Sequence, residues 1–455
     1  MKNRIYFSPD TSRMERKQDM KEKNFPFTAE EFCSHMGFSQ KDFYTFFAAY
    51  WEEFCINCDC RLPFFAEKNF YTKWHALVNN DKDILQRMQN VEKILEQDPF
   101  ASFFANILHY AFFIREEPCR MGELPETTKI FGENSGIFNL LIAESNFPNI
   151  EKACKELSLP ETSLQSVGKW INGTIKIYGA AHNGIPGHTL TQTLWIRHYS
   201  KKTLFRIGRF EFLLHTYIQW LPCIYVNKEG TVIAFHKDGS FVREDGRRMY
   251  KETENCKKVI CKEEDGFVTG CPILPDGSSH PDQSIRLSLQ EWQPLCSPWE
   301  IVPSVHIPGG ERMDKEEVIA SFTKANAFFK KFLGFVPKLY GCYSWILNPD
   351  LQEFLPSSNM TFFQDQGYKI PAWGGITPGS QDGVFFVFGR NGKVDLEKIS
   401  CNNKMEETLV KIYKEKGTLR SGALFILSAD ADKVGSKYYL NNIAIQKKIV
   451  EENRI

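Results

Sequence analysis

Apolar residues recur at three- and four-residue steps through the first third of the chain and at two-residue steps through much of the remainder. The first pattern predicts amphipathic helices and the second half-buried strands. Ser39 precedes QKDFYTFFAAYWEEF, where Phe43, Phe46, Phe47, Tyr50 and Phe54 share one helical face behind an N-cap. DKDILQRMQNVEKILEQ repeats the period through Ile84, Met88, Val91 and Leu95, and PFASFFANILHYAFFIREE is apolar nearly all round, as a central helix would be. Shorter helical stretches near 134–144 and 147–157 precede a link marked by Pro160, Thr162 and Ser163. These stretches predict an all-helical N-terminal domain over residues 28–165, after a flexible tail at 1–27.

Beyond residue 200 the period changes. In LFRIGRFEFLL, Phe205 and Ile207 share one parity while Phe210, Phe212 and Leu214 take the other. A slip at Gly208 predicts a β-bulge, which would re-aim Arg206, Arg209 and Glu211 toward an anionic or polar ligand. CIYV and TVIAFH flank KEG as a hairpin, and polar residues 238–290 predict long loops with short strands. IVPSVHIP is a strand. A Gly-containing loop follows, then a helix begun by Asp314 and Glu317 as a capping box and carrying Val318, Phe322, Ala325, Phe329 and Phe332. KLYGCYSWIL is the next strand, Asn348-Pro349-Asp350 starts a short helix, and MTFFQDQGYKI and DGVFFVFG predict two further strands. A helix near 404–416 and the strand ALFIL complete the pattern. Strand–helix–strand of this length implies a parallel crossover, so residues 166–455 predict a mixed α/β domain and the whole chain an α+β / α/β protein.

Composition narrows the function. The 455 residues carry 56 basic and 56 acidic side chains, which argues against nucleic acid or an anionic membrane surface and for a small-molecule or protein partner. Residues 1–24 have no apolar run of signal-peptide type, and 13 scattered cysteines read as reduced thiols of a cytoplasmic protein. Cys55, Cys58 and Cys60 begin like half a zinc site. No second C-x-x-C or H-x-x-x-H follows at a matching spacing, so no metal is expected.

Candidate chemistry gathers where parallel strands 301–307 and 338–346 end, the edge at which open α/β sheets bind ligands. His306 approaches Cys342, Tyr343, Ser344 and Trp345 there, with Tyr343 and Trp345 on one face and Cys342 and Ser344 on the other. His306 has the type of a general base, and with Cys342 would make a hydrolase's thiol pair if the two met. Gly309 and Gly310 open the backbone before a helix start, where amides and the helix dipole suit a phosphate, and Arg312 adds charge.

The runs LFRIGRFEF, VHIPGGERMD…SFTKANAFF and CYSWILNPDLQEFLPSSNM resemble a bacterial family of acyltransferase-domain proteins. That family is described as an N-acyltransferase N-terminal domain followed by a GNAT-like C-terminal domain. The resemblance implies acyl-CoA as cosubstrate, its pyrophosphate on the amides of Gly309 and Gly310, and its thioester near Ser344 and Tyr343. It implies transfer to an amine or hydroxyl of a small molecule, with His306 or Glu211 taking the proton and Tyr343 protonating the thiolate. Arg206, Arg209 and Trp345 would then contact substrate. HIPGGERM stands where the family's usual Arg/Gln-x-x-Gly-x-Gly/Ala loop would be, and Tyr343 replaces the His of Cys-His-Ser-Trp. The alternative from another class is a non-catalytic ligand sensor or scaffold on the same fold.

Overall fold

The computed structural model describes residues 27–455 except 80, 118, 120, 217, 250–251, 298, 310, 372–382 and 389–394. The tail expected at 1–27 and the candidate Gly310 therefore lie outside the described residues, Phe27 apart. The chain divides into two compact units. One comprises 1–73, 81–145 and 189–194, and the other 74–80, 146–188 and 195–455. Residues 146–165, placed by the sequence pattern in the first domain, pack with the second unit in this division.

The first unit is helical. Helix α1 (Lys82–Gln97) buries Ile84, Met88, Val91 and Leu95, the four positions its period selects. Asp98 caps α2 (Pro99–His109), with Pro99 in its first turn, and nearly every side chain from Ala101 to Leu108 is buried. Aromatic edges lock α2 to its surroundings. Phe104 lies 5.7 Å from Phe138 of α3 (Ser135–Glu144), and Phe103 meets Phe32 edge-on at 5.8 Å. Ser39 caps as expected, in a reciprocal box with Asp42. The long helix expected beyond it is broken by a π-turn at Phe43–Phe47 and a 3₁₀ turn at Ala48–Tyr50, which re-aim its aromatic residues. Cys55, Cys58 and Cys60 are free thiols.

The second unit opens with α4 (Phe147–Glu156), α5 (Thr162–Ala181) and, from Trp195, the second half of α6 (Leu190–Ser200). Its main sheet has six strands: β1 (Leu204–Ile207), β2 (Phe210–His215), β3 (Val302–His306), β4 (Leu339–Ser344), β5 (Tyr368–Ile370) and β6 (Gly422–Leu427). They lie in the order β1-β2-β3-β4-β6-β5, with β3–β4 parallel and the other neighbours antiparallel. Between β2 and β3, short strands form three small antiparallel sheets, including the expected hairpin Cys223–Val226/Val232–Phe235. Helix α7 (Lys315–Phe328) links β3 to β4 and buries Val318, Phe322 and Ala325 on the sheet. Phe322 meets Phe210 and Phe212 at 5.6 and 6.2 Å. Each such ring contributes about 1.5–3 kcal/mol through its burial. Asp314 occupies the α7 N-cap but makes no side-chain cap bond, so the expected capping box is absent.

Three expectations fail for identifiable reasons. Gly208 is not in a bulge. Ile207 pairs with Phe210, so Gly208 and Arg209 are the two central residues of a tight hairpin turn. Gly208 takes φ +58°, the left-handed conformation such a turn requires at its first central position. A hairpin turn and a bulge both shift side-chain parity, so the pattern alone did not separate them. The strand expected over MTFFQDQGYKI is instead helix α8 (Asn359–Gln364) followed by β5, because Ser358 accepts from the Thr361 amide at 3.1 Å and starts a helix. The strand expected over DGVFFVFG is the helix Val384–Phe388. Helix α9 (Lys404–Lys416) matches its prediction, while α10 (Ile443–Glu452) follows the strand expected to end the pattern.

A Cβ added at Gly208 would lie 2.5 Å from the Ser321 hydroxyl, besides straining the positive φ. Gly208→Ala is expected to lower unfolding stability by more than about 1 kcal/mol, measured by chemical denaturation. A loss confined to a few tenths would mean that the turn relaxes freely.

Candidate functional site

The parallel strands β3 and β4 share one paired position, Ser304 with Gly341. Beyond it, β3 continues to pair with β2 as far as His306–Glu211, while β4 pairs with β6 as far as Ser344–Gly422. Each strand pairs along its length with its outer neighbour, while the two share this single ladder position. The candidate residues converge at the C-terminal ends of these two strands.

Strand alternation sorts those residues by face. Val305, Cys342 and the partly buried Ile307 pack toward α7 with Phe210 and Phe212. Ser344 and Trp345 lie on this side, in a cleft of about 370 Å³ that also has Ile177, Gly309, Met313 and Met360 in its walls. Glu211, His306 and Tyr343 occupy the opposite parity. Tyr343 lies 6.2 Å from the Trp220 ring on that side, and His306 meets Trp195 edge-on at 4.6 Å. The structure therefore brings Glu211 and His306 together as cross-strand neighbours and sets Ser344, Gly309, Arg312 and Trp345 around one cleft. Tyr343 and Ser344 do not share a surface.

Glu211 is 1% exposed and accepts hydrogen bonds from Trp195 Nε1 at 3.1 Å and from the Tyr199 hydroxyl. Burial raises its pKa against the lowering effect of those donors and of Arg206. Burial, then the nearby His215 and His198, pushes His306 down to about 4, so its ring is neutral at pH 7. His306 Nε2 is buried and has no hydrogen-bond partner among the described residues. A neutral imidazole with an unused nitrogen is a proton acceptor in waiting. Cys342 is fully buried and burial raises its pKa, which leaves no thiolate for the hydrolase reading.

The loop after β3 is held from below by Arg209. Its Nε donates to the Arg312 carbonyl at 2.9 Å, and Nη2 donates to the Pro308 and Glu311 carbonyls at 2.8 Å each. Arg209 is 5% exposed, its pKa is lowered by burial to about 10, and its buried Nη1 has no partner among the described residues. Arg206 sits beside it, with Nη2 2.5 Å from Glu311 Oε2 and Nε on the Gly208 carbonyl. Both arginines, expected on a bulge to face substrate, instead bind the chain itself. At Gly309 a Cβ would meet nothing nearer than Ile177 Cδ1 at 3.9 Å, and the glycine's φ is not positive. Neither packing nor backbone conformation requires glycine there.

A second cleft of about 420 Å³ lies across the same loop, sharing Pro308, Gly309 and Glu311 and walled by α5 through Lys169, Trp170 and Lys176. Sequence reasoning missed these residues, and also Trp195 and Tyr199. A trace was present in VGKWINGTIK, where two lysines seven apart share a helical face with small residues between them.

Residues 204–424 match the family model of the GNAT-like C-terminal domain. In fold, this is a GNAT-like domain. No curated protein matches the chain. Among solved structures, an acyltransferase variant in complex with octanoyl-CoA is similar over 88% of this chain and 98% of its own, at 15% identity and TM-score 0.56. An acyltransferase in complex with decanoyl-CoA and teicoplanin covers the same shares at 15% identity and TM-score 0.55. A complex with CoA and 10C-teicoplanin covers 87% and 98% at 15% identity and TM-score 0.54. At that identity the likeness shows the fold: helices followed by a GNAT-like mixed sheet. No helix among the described residues is long and apolar enough to cross a membrane, and no group of three or more His, Cys, Asp or Glu among them is placed to hold a metal ion.

Two measurements probe the GNAT-like domain's interior. Arg209→Met is expected to cost about 3 kcal/mol, because three carbonyls, that of Pro308 buried and those of Glu311 and Arg312 partly so, lose a charged donor. Denaturant unfolding checks this, and an unchanged midpoint would show that the loop holds itself. His306 and His198 have folded pKa values lowered to about 4 from an ordinary 6.5. The unfolded chain therefore takes up protons first, and the stability these groups carry, complete above pH 6.5, is lost as pH falls toward 4. Glu211 acts in the opposite sense, its raised pKa favouring the folded state as pH falls. Comparison with His306→Gln isolates the histidine, since the variant's melting temperature should fall less steeply between pH 6.5 and 4.

Proposed function

We propose that this protein transfers an acyl group from an acyl-CoA to an amine or hydroxyl of a small molecule. The observation that carries the reading is the cleft of about 370 Å³ at the C-terminal ends of β3 and β4, walled by Gly309, Ser344 and Trp345. An acyl-CoA has an anionic end that suits the loop's amides and the start of α7. Its pantetheine arm is apolar and amide-bearing, which suits the cleft between Ile177, Met360 and Trp345. The thioester would then lie near Ser344, at the C-terminal end of β4. The acyl-CoA complexes of the similar acyltransferases support the same cosubstrate.

In this reading the two faces at the ends of β3 and β4 have different tasks. Acyl-CoA enters from the α7 face, and the acceptor attacks from the face carrying Glu211, His306 and Tyr343. The nucleophile forms a bond to the thioester carbon, the C–S bond breaks, and coenzyme A leaves as thiolate. His306 Nε2, neutral and unpartnered, takes the proton from the amine or hydroxyl, directly or through water. Glu211 is engaged by Trp195 and Tyr199, so its part is to fix those rings around His306 rather than to take the proton itself. Tyr343 protonates the thiolate from its position near the end of β4. The second reading, a ligand sensor without turnover, has one observation in its favour: the burial of His306 Nε2.

Titration with coenzyme A, acetyl-CoA, octanoyl-CoA and decanoyl-CoA tests the proposal. A ligand at a hundred times its dissociation constant should add about 2.7 kcal/mol of stability. Gly309→Asp, which places a carboxylate where the anionic end would lie, should weaken acyl-CoA binding by at least about tenfold, that is about 1.4 kcal/mol. Absence of binding to any acyl-CoA by folded protein overturns the proposal. Saturable binding without free thiol release in the presence of amine acceptors, and unaffected by His306→Gln, selects the sensor.

A further inference from the structure

We infer that the cleft between α5 and the loop residues Pro308, Gly309 and Glu311 binds the nucleotide end of coenzyme A, with Lys169 and Lys176 on the ribose 3′-phosphate and Trp170 against the adenine. The inference rests on the acyl-CoA reading for its ligand, but its evidence lies in a separate cleft. That cleft, about 420 Å³, is walled by Lys169, Trp170, Lys176, Arg206 and Glu311. Arg206 and Glu311 neutralise each other at 2.5 Å. Neither lysine has an ion-pair partner among the described residues, so the cleft carries two uncompensated positive charges. Seven residues apart, they lie on the same side of α5, two turns along.

Between the lysines the helix presents little bulk. Asn172 and Gly173 line the cleft, and a Cβ at Gly173 would approach the Gly309 carbonyl oxygen at 3.6 Å. Helix and loop are therefore close at this level, and Lys169 and Lys176 bracket the approach. The loop is the ridge between two clefts, because Pro308, Gly309 and Glu311 belong to both. The second cleft is the apolar one that reaches Ser344 and Trp345. A ligand lying across the ridge would have an apolar arm on one side, a phosphate over Gly309, and a charged aromatic group on the other. Coenzyme A has those three parts in that order. Phosphate oxygens suit paired ammonium groups, and a purine suits an indole face in any sequence context.

The test uses the full chain and three probes in calorimetric titrations: coenzyme A, 3′-dephospho-coenzyme A and adenosine 3′,5′-bisphosphate. Wild-type protein is expected to prefer coenzyme A over its dephospho form by about tenfold or more. Lys169→Gln/Lys176→Gln should abolish that preference while leaving dephospho-coenzyme A within about threefold, and both lysines are exposed, so the fold should hold. Trp170→Leu should weaken adenosine 3′,5′-bisphosphate. The inference is overturned if the double variant keeps the full preference, or if wild type binds the bisphosphate no better than inorganic phosphate. Acyl-CoA binding without lysine dependence would leave the transferase proposal standing and remove this one. Lysine-dependent bisphosphate binding in protein that takes no acyl-CoA would do the reverse.

Discussion

Three backbone carbonyls, from Pro308, Glu311 and Arg312, converge on the guanidinium of Arg209, itself one of two central residues in the β1–β2 turn. Much of the candidate site depends on this clamp. The loop between β3 and α7 must leave a backbone face open, and a loop with an open face has few internal contacts to define it. A buried cation replaces those contacts from behind. The Arg209 amide also donates to Ser321 of α7 at 2.9 Å, so one turn residue fixes both the loop and the helix that follows it. The cost of burying the charge is met by carbonyl dipoles rather than by a carboxylate. Nη1 is left over, and the cleft is beside it.

The same turn explains what the sequence showed and what it concealed. The parity slip at Gly208 was legible, as were the helices at 82–97 and 404–416, the parallel strands and the glycine loop. Those features are local, set by period, caps and breakers. The direction in which Arg206 and Arg209 point is not local. A bulge would leave both beside a strand, whereas a two-residue turn folds Arg209 under a loop about a hundred residues later. Short apolar runs gave the clearest failures. TFF and VFFVF have strand composition, yet each lies in a single helical turn whose start is decided by Ser358 in one case and by tertiary packing in the other. Lys169 and Lys176 escaped notice because the spacing of exposed lysines on a helix gains meaning only once the loop they face is known.

Sorting the candidate residues by face changes what each is asked to do. A chemistry in which Ser344 and Tyr343 act side by side conflicts with the sheet, because adjacent strand residues point apart. One in which they act from opposite faces agrees with it. β4 can offer both because it pairs with β6 up to Ser344 and then turns sharply at Trp345–Leu347. That turn passes so near β6 that a Cβ on Gly422 would stand 1.9 Å from the Leu347 carbonyl oxygen. Gly422 therefore sets how closely that turn can pass β6.

In the proposed transfer, His306 would have to balance burial against reactivity. Removal from water keeps the ring neutral, which preserves a basic nitrogen at neutral pH. The same burial makes the imidazolium costly, so a proton accepted there must leave quickly or be stabilised on arrival. Glu211, the cross-strand neighbour of His306, carries its carboxylate on the same face of the sheet. Trp195 and Tyr199 hold that carboxylate in place, and Trp195 also packs against the His306 ring. In the proposed transfer, loss of Glu211 would leave Trp195, and with it the His306 ring, less firmly held. Its effect should appear in turnover more than in acyl-CoA affinity, the division expected of a residue that acts through its neighbour.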